Sequence, residues 1–297
     1  MARKAAAFIT GGVSGMGLAV AEALASRSNE DWDLHLVDLN ENAGKTVTSS
    51  LKNAYFHKTD VTDYDSLISA FESAFSTSGR IDFVFANAGI VERDNFYEKH
   101  DLSRPPPSAN LLSIEINLKA VVNTCYAALH YFRKSPKEDG PGPALVMTAS
   151  CGGLYPSEFC PMYSAAKAGV IQFNKAISFS YHLEGIRTYA TAPGTIKTNL
   201  MSGEEWKSFP EQYFTPMSTL VKAVTLVIDG GDLKDSTGRK IKAEDAYGLT
   251  VEVNRNNFYF REKNKFCDSE MEAMMKFTSM ENQLARIEKT KAQTNGT

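Results

Sequence analysis

The stretch TGGVSGMG, residues 10–17, decides the fold, because its glycines follow the pattern Gly11-x3-Gly15-x-Gly17 between two contrasting segments. Residues 5–9 before it are apolar and predict a buried strand, and residues 17–27 after it have the length of a helix. A strand that turns sharply into a helix can bring a pyrophosphate close to the N–H groups that begin the helix. The pattern alone also fits an ordinary tight turn, so its meaning depends on the rest of the chain.

Short apolar runs and helix-length segments continue to alternate beyond this turn. The runs are rich in β-branched or aromatic residues and apolar on both faces, which is typical of parallel strands covered by helices. The alternation predicts an α/β fold with a doubly wound sheet. The predicted strands are residues 5–10, 34–38, 54–59, 83–87, 144–148, 187–192 and 249–253, and the predicted helices are 17–27, 41–51, 64–77, 108–132, 163–182 and 218–229.

Proline and glycine mark the predicted loops. Residues 104–107 read RPPP, and residues 135–143 contain three prolines and two glycines, so both segments are predicted as surface turns. The chain changes character near its end. We therefore predict a dinucleotide-binding catalytic domain over residues 1–266 and a C-terminal extension over 267–297 that is helical and then disordered.

Composition excludes several classes of protein. The 297 residues are 43% apolar and 23% charged, which supplies a full core, and the net charge of -3 does not suggest a nucleic-acid-binding face. No apolar run approaches the ~18 residues of a membrane span. The four cysteines show no CxxC pattern and the five histidines no metal-ligand spacing. We therefore expect a cytoplasmic protein with no metal, membrane or nucleic-acid partner.

Asp38 ends the second predicted strand, about 20 residues beyond Gly17, where an acid is expected to bind the adenosine ribose. Its carboxylate would accept hydrogen bonds from the ribose hydroxyls and repel a 2′-phosphate. Residues 39–43 and Val13 offer no Arg or Lys to hold such a phosphate. This pattern favours NAD over NADP. Alternatively, Asp38 caps the helix that begins at Glu41.

Further polar or small residues follow the third and fourth strands. Asp60-Val61 would lie at the adenine edge, although Asp60 also fits a cap for the helix at Tyr64. Asn87-Ala88-Gly89 would let a cofactor cross the strand ends where the strand order reverses.

Tyr163 and Lys167 are four residues apart, which places both on one face of a helix. An ammonium near a phenol stabilises the phenolate, so this pair suits acid–base chemistry. Ser150 ends the fifth strand, and its hydroxyl could bond the same substrate oxygen. Alternatively, Ser150 caps a helix or turn, and Tyr163 is a half-buried aromatic residue of the core. Asn117 lies in an apolar helical stretch. Because a buried polar group needs partners, Asn117 is either a satisfied core amide or part of a water relay.

These motifs, with Pro193-Gly194, occur in an order and spacing that resemble the short-chain dehydrogenase/reductase family over residues 5–262. The resemblance implies a single Rossmann-type doubly wound parallel seven-stranded sheet with helices on both faces. It implies that Tyr163 is the general acid/base and that Lys167 lowers its pKa and binds the nicotinamide ribose. Ser150 would hold the substrate oxygen, and Asn117 would anchor a water that leads to Lys167.

The resemblance also implies the cofactor site, in which the Ile196 main chain and the Thr198 side chain hold the nicotinamide. The complete predicted set is Gly11, Ser14, Gly15, Met16, Gly17, Asp38, Leu39, Asp60, Val61, Asn87, Ala88, Gly89, Tyr163, Lys167, Pro193, Gly194, Ile196 and Thr198.

Within the family, residues 36–40, 153–161 and 220–260 resemble the branch of 15-hydroxyprostaglandin dehydrogenase and its fungal secondary-metabolism relatives. Cys160 departs from this branch, where a glutamine stands three residues before the catalytic tyrosine. The predicted substrate residues are Ser150, Gly152, Cys160, Tyr163 and Trp206. Residues 199–217 are rich in aromatic side chains and fit either a lid over a bulky hydrophobic substrate or a core-facing helix pair.

Together these features predict an NAD-dependent enzyme that interconverts a bulky hydrophobic secondary alcohol and its ketone by hydride transfer. Two other functions stay open. One is an NADP-dependent ketoreductase of a secondary-metabolite (polyketide) pathway, and the other is a non-catalytic nucleotide-sensing protein with this fold. The resemblance further implies a homodimer or homotetramer formed through the helices that carry Asn117 and Tyr163.

Overall fold

A computed structural model describes residues 3–138 and 140–294, with side chains described through residue 288. The chain divides into two compact units, Met1–Phe260 and Arg261–Thr297. The first unit contains every residue predicted for the site. The domain boundary predicted after residue 266 remains a prediction.

The first unit is built on an eight-stranded sheet, and seven of its strands are parallel, as predicted. The order is β3-β2-β1-β4-β5-β6-β9-β10. A separate antiparallel pair, β7 with β8, lies outside this sheet. The bounds are β1 Arg3–Thr10, β2 Glu30–Asp38, β3 Ala54–Lys58, β4 Phe83–Ala86, β5 Ala144–Thr148, β6 Arg187–Pro193, β7 Leu233–Lys234, β8 Lys240–Ile241, β9 Leu249–Asn254 and β10 Asn257–Phe260.

The eighth strand is an addition to the prediction. β10 pairs antiparallel with β9 across a two-residue hairpin, in which Arg255 adopts a left-handed φ of 52°. Phe258 and Phe260 point into the core from alternate positions of β10. That alternation was the available signal, but four residues are too few for it to stand out.

The predicted helices form, with shifted ends. The predicted helix 108–132 begins only at Leu112, whose N–H donates a hydrogen bond to the Asn110 side chain. This helical segment also contains a π-helical turn. Residues 199–217 do not form a core-facing helix pair, because α7 and the 3-10 turn Glu211–Tyr213 contain no buried residue. The bounds in the first unit are α1 Gly15–Ala25, α2 Glu41–Ser50, α3 Tyr64–Ser78, α4 Leu112–Ile114, the π-helical turn Glu115–Lys119, α5 Ala120–Lys134, α6 Pro161–Leu183, α7 Gly203–Trp206 and α8 Met217–Asp229.

The second unit contains α9, Ser269–Phe277, and α10, Met280–Thr294. The sequence pattern predicted helix here, and the structure divides it into two helices near Thr278 and Ser279. Asp268 caps α9 by accepting a hydrogen bond from Met271 N at 2.8 Å. The predicted disorder at the end of the extension falls on residues 295–297, which lie outside the described residues.

Helices cover both faces of the sheet and create two apolar clusters. One cluster joins the sheet to α1 and α8, and the other joins it to α3, α5 and α6. Adjacent β1 residues contribute to opposite clusters, Ile9 to the first and Phe8 to the second. This two-sided burial is why the strands read as continuous apolar runs. Because β1, β4, β5 and β6 run parallel, their carboxyl ends lie along one edge of the sheet, where the strand order reverses between β1 and β4.

Candidate active site

The glycine turn after β1 is built for a close approach. Gly11 and Gly15 adopt positive φ angles of 63° and 51°. A Cβ on Gly17 would stand 2.3 Å from the Gly11 carbonyl oxygen, so only glycine fits there. The first turn of α1 contains no acidic residue, and its N-cap Ser14 makes no side-chain capping bond. The N–H groups that begin α1 therefore suit a pyrophosphate, with Met16 among the residues that supply them.

Asp38 ends β2 beside this turn, and its carboxylate accepts a hydrogen bond from Asn40 N at 3.1 Å. The capping alternative for Asp38 is wrong, because Asn40 is the N-cap of α2 and accepts from Ala43 N at 3.0 Å. Leu39, which follows Asp38, is exposed.

The structure also places a cation beside Asp38 that sequence reasoning missed. Lys58 is the strand partner of Asp38 in the register of β2 and β3. Its ammonium donates to Glu41 at 3.1 Å, and Lys45 also pairs with Glu41 at 2.7 Å. These two cations lower the pKa of the Glu41 carboxyl to about 2. Lys58 was missed because it is close to Asp38 only across the sheet.

The turn after β3 lies next to the end of β2, because Thr59 N donates to Asp38 O at 3.0 Å. The Asp60 carboxylate closes this turn by accepting from Thr62 N at 2.9 Å and from its hydroxyl at 2.7 Å. Asp60 is not the cap of α3, since Asp63 holds that position. Val61 is half-buried beside it.

A threonine and an asparagine join the ends of three strands. Thr10 Oγ accepts hydrogen bonds from Asn87 N at 2.9 Å and Ala88 N at 3.0 Å. Asn87 Nδ2 donates to Thr10 O at 3.1 Å, and the Thr148 hydroxyl donates to Asn87 Oδ1 at 3.0 Å. β1, β4 and β5 are thus fixed relative to one another at the edge where the site lies. Thr10 and Thr148 were not predicted, because their partners are distant in sequence.

Ser150, Tyr163 and Lys167 come together at this edge. The Lys167 ammonium is 2% exposed, donates to Thr148 O at 2.7 Å and lies 5.7 Å from the centre of the Tyr163 ring. The Ser150 hydroxyl lies close enough to the Tyr163 phenol to lower its pKa, and it accepts a hydrogen bond from Gly152 N at 3.1 Å. Ser150 therefore caps the short turn Cys151–Gly153, and its role toward the substrate stays a prediction.

Burial controls the ionisation of this cluster. It raises the pKa of the Tyr163 phenol, and the nearby Ser150 hydroxyl opposes that rise. It lowers the pKa of the Lys167 ammonium to about 7. Desolvation disfavours the charged form in both cases, which explains the opposite directions. Burial thus counteracts the lowering of the Tyr163 pKa expected from a neighbouring cation.

The Asn117 side chain is fully buried in the π-helical turn, a type of distortion often found at functional sites. Its amide donates to Ile90 O and to the Ser113 hydroxyl, both at 2.9 Å, and accepts from Ile90 N at 3.0 Å. It is a satisfied core amide. A Cβ on Gly89 would stand 2.7 Å from Asn117 Oδ1 and 3.5 Å from Lys167 Nζ, so these two groups approach each other across Gly89.

The segment after β6 reaches the glycine turn. Pro193 and Ile196 are buried, and Gly194 N donates to Val253 O at 2.8 Å. Thr198 lies against Gly15, where an added Cβ would be 3.3 Å from the threonine side chain. The Trp206 indole donates to Thr198 O at 2.9 Å, and its ring packs near Phe209 and Phe214. Trp206 is thereby held beside the predicted nicotinamide segment.

Glu92 makes a contact at the site that sequence reasoning missed. Its carboxylate accepts from Tyr163 N at 3.0 Å, at the start of α6, where the N-cap Cys160 makes no side-chain capping bond. Glu92 thus caps the helix that carries Tyr163 and Lys167. No local spacing predicts this contact, since Glu92 and Tyr163 are far apart in the chain.

Two other kinds of site concern metal ions and membranes, and both statements apply to the described residues. No cluster of His, Cys, Asp or Glu there could hold a metal ion. Within the same ranges, no helix combines the length and the apolar character needed to cross a bilayer.

Comparisons of the sequence identify relatives. A family model described as short chain dehydrogenase matches residues 5–207. The chain is 45% identical over 282 residues to short-chain dehydrogenase/reductase prx7 of Penicillium rubens, which covers 92% of this chain and 99% of that one. It is 29% identical over 215 residues to 15-hydroxyprostaglandin dehydrogenase (NAD(+)) of Homo sapiens, covering 70% of this chain and 74% of that one.

Solved structures share the fold. A 3-ketoacyl-(acyl-carrier-protein) reductase from Brucella melitensis, complexed with NADH, superposes with a TM-score of 0.66 at 21% identity, covering 84% of this chain and 96% of that one. The protein gox2181 gives a TM-score of 0.66 at 23% identity, with 84% and 94% covered. At these identities the likeness concerns the fold alone.

Proposed function

The chain belongs to the short-chain dehydrogenase/reductase family, and from that premise we propose that it interconverts a bulky hydrophobic secondary alcohol and its ketone, with NAD as cofactor. Membership makes it an oxidoreductase that acts on CH–OH groups of small molecules. The observation that carries the finer proposal is the meeting of Ser150, Tyr163 and Lys167 at the strand ends beside the glycine turn.

Each of the three side chains has a distinct role in the proposed reaction. In the oxidative direction the Tyr163 phenolate takes the hydroxyl proton, and in the reductive direction the phenol returns it. The Ser150 hydroxyl holds the substrate oxygen within reach of Tyr163. Lys167 stabilises the phenolate when its amine is protonated. The nicotinamide supplies the hydride acceptor or donor when it is bound.

The residues around the glycine turn fit a dinucleotide. The uncapped start of α1 suits the pyrophosphate, and the Asp38 carboxylate suits two ribose hydroxyls. The preference for NAD rests on Asp38 and on the engagement of Lys45 and Lys58 by Glu41, which keeps both cations away from a 2′-phosphate.

We further propose that Gly152, Cys160 and Trp206 line the substrate pocket and that residues 199–217 cover it. The aromatic contacts of Trp206 with Phe209 and Phe214 support an apolar wall there.

Assembly and location complete the proposal. A homodimer or homotetramer would bury apolar side chains that α5 and α6 leave exposed, including Tyr126 at 69% and Leu183 at 56%. Light scattering during gel filtration measures this oligomeric state.

The four cysteines are free thiols, which supports a reducing, cytoplasmic location. We also propose residues 1–266 as the catalytic domain.

The experiment that tests the function begins with titration of the purified protein with NAD(H) and NADP(H). Turnover of a panel of bulky secondary alcohols and ketones follows. Tight binding of NAD(H), weak binding of NADP(H) and oxidation of panel members are expected. Preference for NADP(H) with ketone reduction would instead indicate the ketoreductase. Nucleotide binding without any turnover would indicate a nucleotide sensor.

A further inference from the structure

One carboxylate oxygen beside Tyr163 lacks a partner. Glu92 is 8% exposed. Its Oε2 accepts from Tyr163 N at 3.0 Å, but its Oε1 is buried and has no hydrogen-bond partner among the described residues. A buried acceptor without a donor costs about 1–3 kcal/mol, and more when it is charged. Such an atom in a folded protein needs an explanation, because most buried polar atoms are satisfied.

Neighbouring cations and donors among the described residues do not satisfy this oxygen. The adjacent Arg93 directs its guanidinium to the Glu205 carboxylate and to Leu200 O. The nearby thiol of Cys160 hydrogen-bonds Ser157 instead. The capping bond to Tyr163 N needs only one carboxylate oxygen, and an amide would serve that purpose equally well. The cap therefore does not explain why the residue is an acid.

Glu92 lies close to the predicted catalytic tyrosine. It follows Gly89 by three residues in the loop after β4, and it meets α6 at Tyr163 itself. Its charge contributes, after burial, to the raised pKa of the Cys160 thiol, so the carboxylate lies near a predicted substrate residue. A cavity of about 80 Å³ borders Glu92, with Ser113, Asn110 and Leu112 among its other walls. The cavity has room for a small polar substituent.

We infer that Glu92 Oε1 accepts a hydrogen bond from the substrate, which therefore carries a second donor group besides the reacting carbinol. This inference rests on the proposed function and narrows it. The substrate class becomes a bulky secondary alcohol, or its ketone, that also bears a hydroxyl or a protonated amine. A carboxylate binds either donor, and it favours the cation more strongly through its charge.

The test uses aryl methyl carbinols that are identical except for one ring substituent, placed meta or para. The substituent is hydrogen, methoxy, hydroxy or aminomethyl. For the wild-type protein we expect the hydroxy compound of at least one isomer to exceed its methoxy analogue about tenfold or more in kcat/KM. In Glu92→Gln the amide still caps α6 but presents a donor in place of Oε1. The ratio of hydroxy to methoxy should then fall to about one or reverse.

The aminomethyl compound separates the two kinds of donor. If the natural donor is an ammonium, Glu92→Gln reduces kcat/KM for the aminomethyl compound more than for the hydroxy compound, because the charge is lost. If it is a hydroxyl, the hydroxy compound shows the larger loss. The matched control is Glu72→Gln, the same change at an exposed position of α3, which should keep the wild-type ratios.

Several outcomes would overturn the inference without touching the proposed function. If Glu92→Gln lowers all four compounds equally, Glu92 only holds α6 in place. If kcat/KM stays at the wild-type value for all four compounds, a water, and not the substrate, satisfies Oε1. Turnover of the unsubstituted carbinol tests the proposed function itself, since that compound has no second donor. Its complete absence with all carbinols and ketones would contradict the function rather than the role of Glu92.

Discussion

Tyr163 carries the proposed proton transfer, and its environment sets the pH at which each direction runs. Burial raises the pKa of its phenol above the ordinary value. The phenolate needed for oxidation is therefore a minor form at neutral pH, and the phenol needed for reduction is the major form. This asymmetry gives the two directions opposite responses to pH.

We expect kcat/KM for alcohol oxidation to rise with pH by up to about tenfold per unit below about pH 7. Above that pH the rise should level off, because Lys167, whose pKa is about 7, loses the proton with which it stabilises the phenolate. Ketone reduction should stay level over the same range and fall only at higher pH. Initial rates in both directions from slightly acidic to alkaline pH measure this. Tyr163→Phe should reduce both rates by about a hundredfold or more at every pH while nucleotide binding persists. A Tyr163→Phe variant with unchanged activity would refute the assignment.

Asp38 is expected to set the choice of cofactor, together with the cations that Glu41 holds. Asp38→Ser should raise the ratio of kcat/KM for NADP to that for NAD about tenfold, because a repelling carboxylate is removed. Adding Glu41→Gln should raise it further, since Lys45 and Lys58 lose their shared partner. Asp31→Asn, at the opposite end of β2, is the control. Equal ratios in all of these proteins would argue against Asp38 as the ribose ligand.

At the scale of elements, α6 is positioned by groups that lie outside it. Glu92 caps the start of α6, and the carbonyl oxygen of Thr148, at the end of β5, accepts a hydrogen bond from the Lys167 ammonium. The spacing of Tyr163 and Lys167 places both on one face, but these two contacts fix that face against the strand ends. The geometry of the candidate site thus depends on the packing of α6 and not on the helix alone.

A second connection between elements is made by Arg187, at the start of β6. Its buried guanidinium donates to Pro141 O at 2.7 Å, to Gly142 O and Ile228 O at 2.9 Å, and to Val227 O. It therefore satisfies carbonyls at the end of α8 and in the loop before β5, a role suited to a cation at a helix C-terminus.

Arg187→Met should lower the free energy of unfolding by about 2–4 kcal/mol, because several carbonyls lose their donor. Arg133→Met is the matched control. Arg133 pairs with Glu184 at the surface, so its loss should cost no more than about 1 kcal/mol. Urea denaturation of both variants measures the difference. Equal losses would show that the buried guanidinium has no special weight.

At the scale of the whole molecule, a buried histidine and its half-buried neighbour link stability to pH. His35 of β2 lies 3.0 Å from His57 of β3 through their ring nitrogens, and 2.8 Å from the Ser78 hydroxyl. Burial, and then the charge of His57, lowers the pKa of His35 to about 3. Burial also lowers the pKa of His57. Both rings are therefore neutral in the folded protein at pH values where they are protonated in the unfolded chain.

Because the folded-state pKa is lowered, stability should decrease as pH falls below about 6.5, by up to about 1.4 kcal/mol per pH unit for His35 alone. Denaturation at pH 7 and pH 5 measures this dependence. His35→Phe should be less stable at pH 7, since Ser78 loses its partner, but its stability should depend less on pH. His100→Gln, an exposed control, should behave as the wild type. A slope unchanged in His35→Phe would contradict the assignment.

The sequence by itself determined the layers of the fold and the local part of the site. Apolar runs buried on both faces predict a parallel sheet between helices, and the glycine turn predicts where a dinucleotide fits. The four-residue spacing of Tyr163 and Lys167 likewise follows from helix geometry. These are regularities within a single strand or helix, so neighbouring residues carry enough information to predict them.

The tertiary structure alone decided the contacts between distant elements. It placed Lys58 beside Asp38, Glu92 at the start of α6 and Thr148 O against Lys167. It also decided that Asn40 and not Asp38 caps α2. The physical reason is that such contacts depend on strand order, register and packing. The residues next to a carboxylate in the sequence do not show whether it caps a helix, pairs with a cation or binds a substrate.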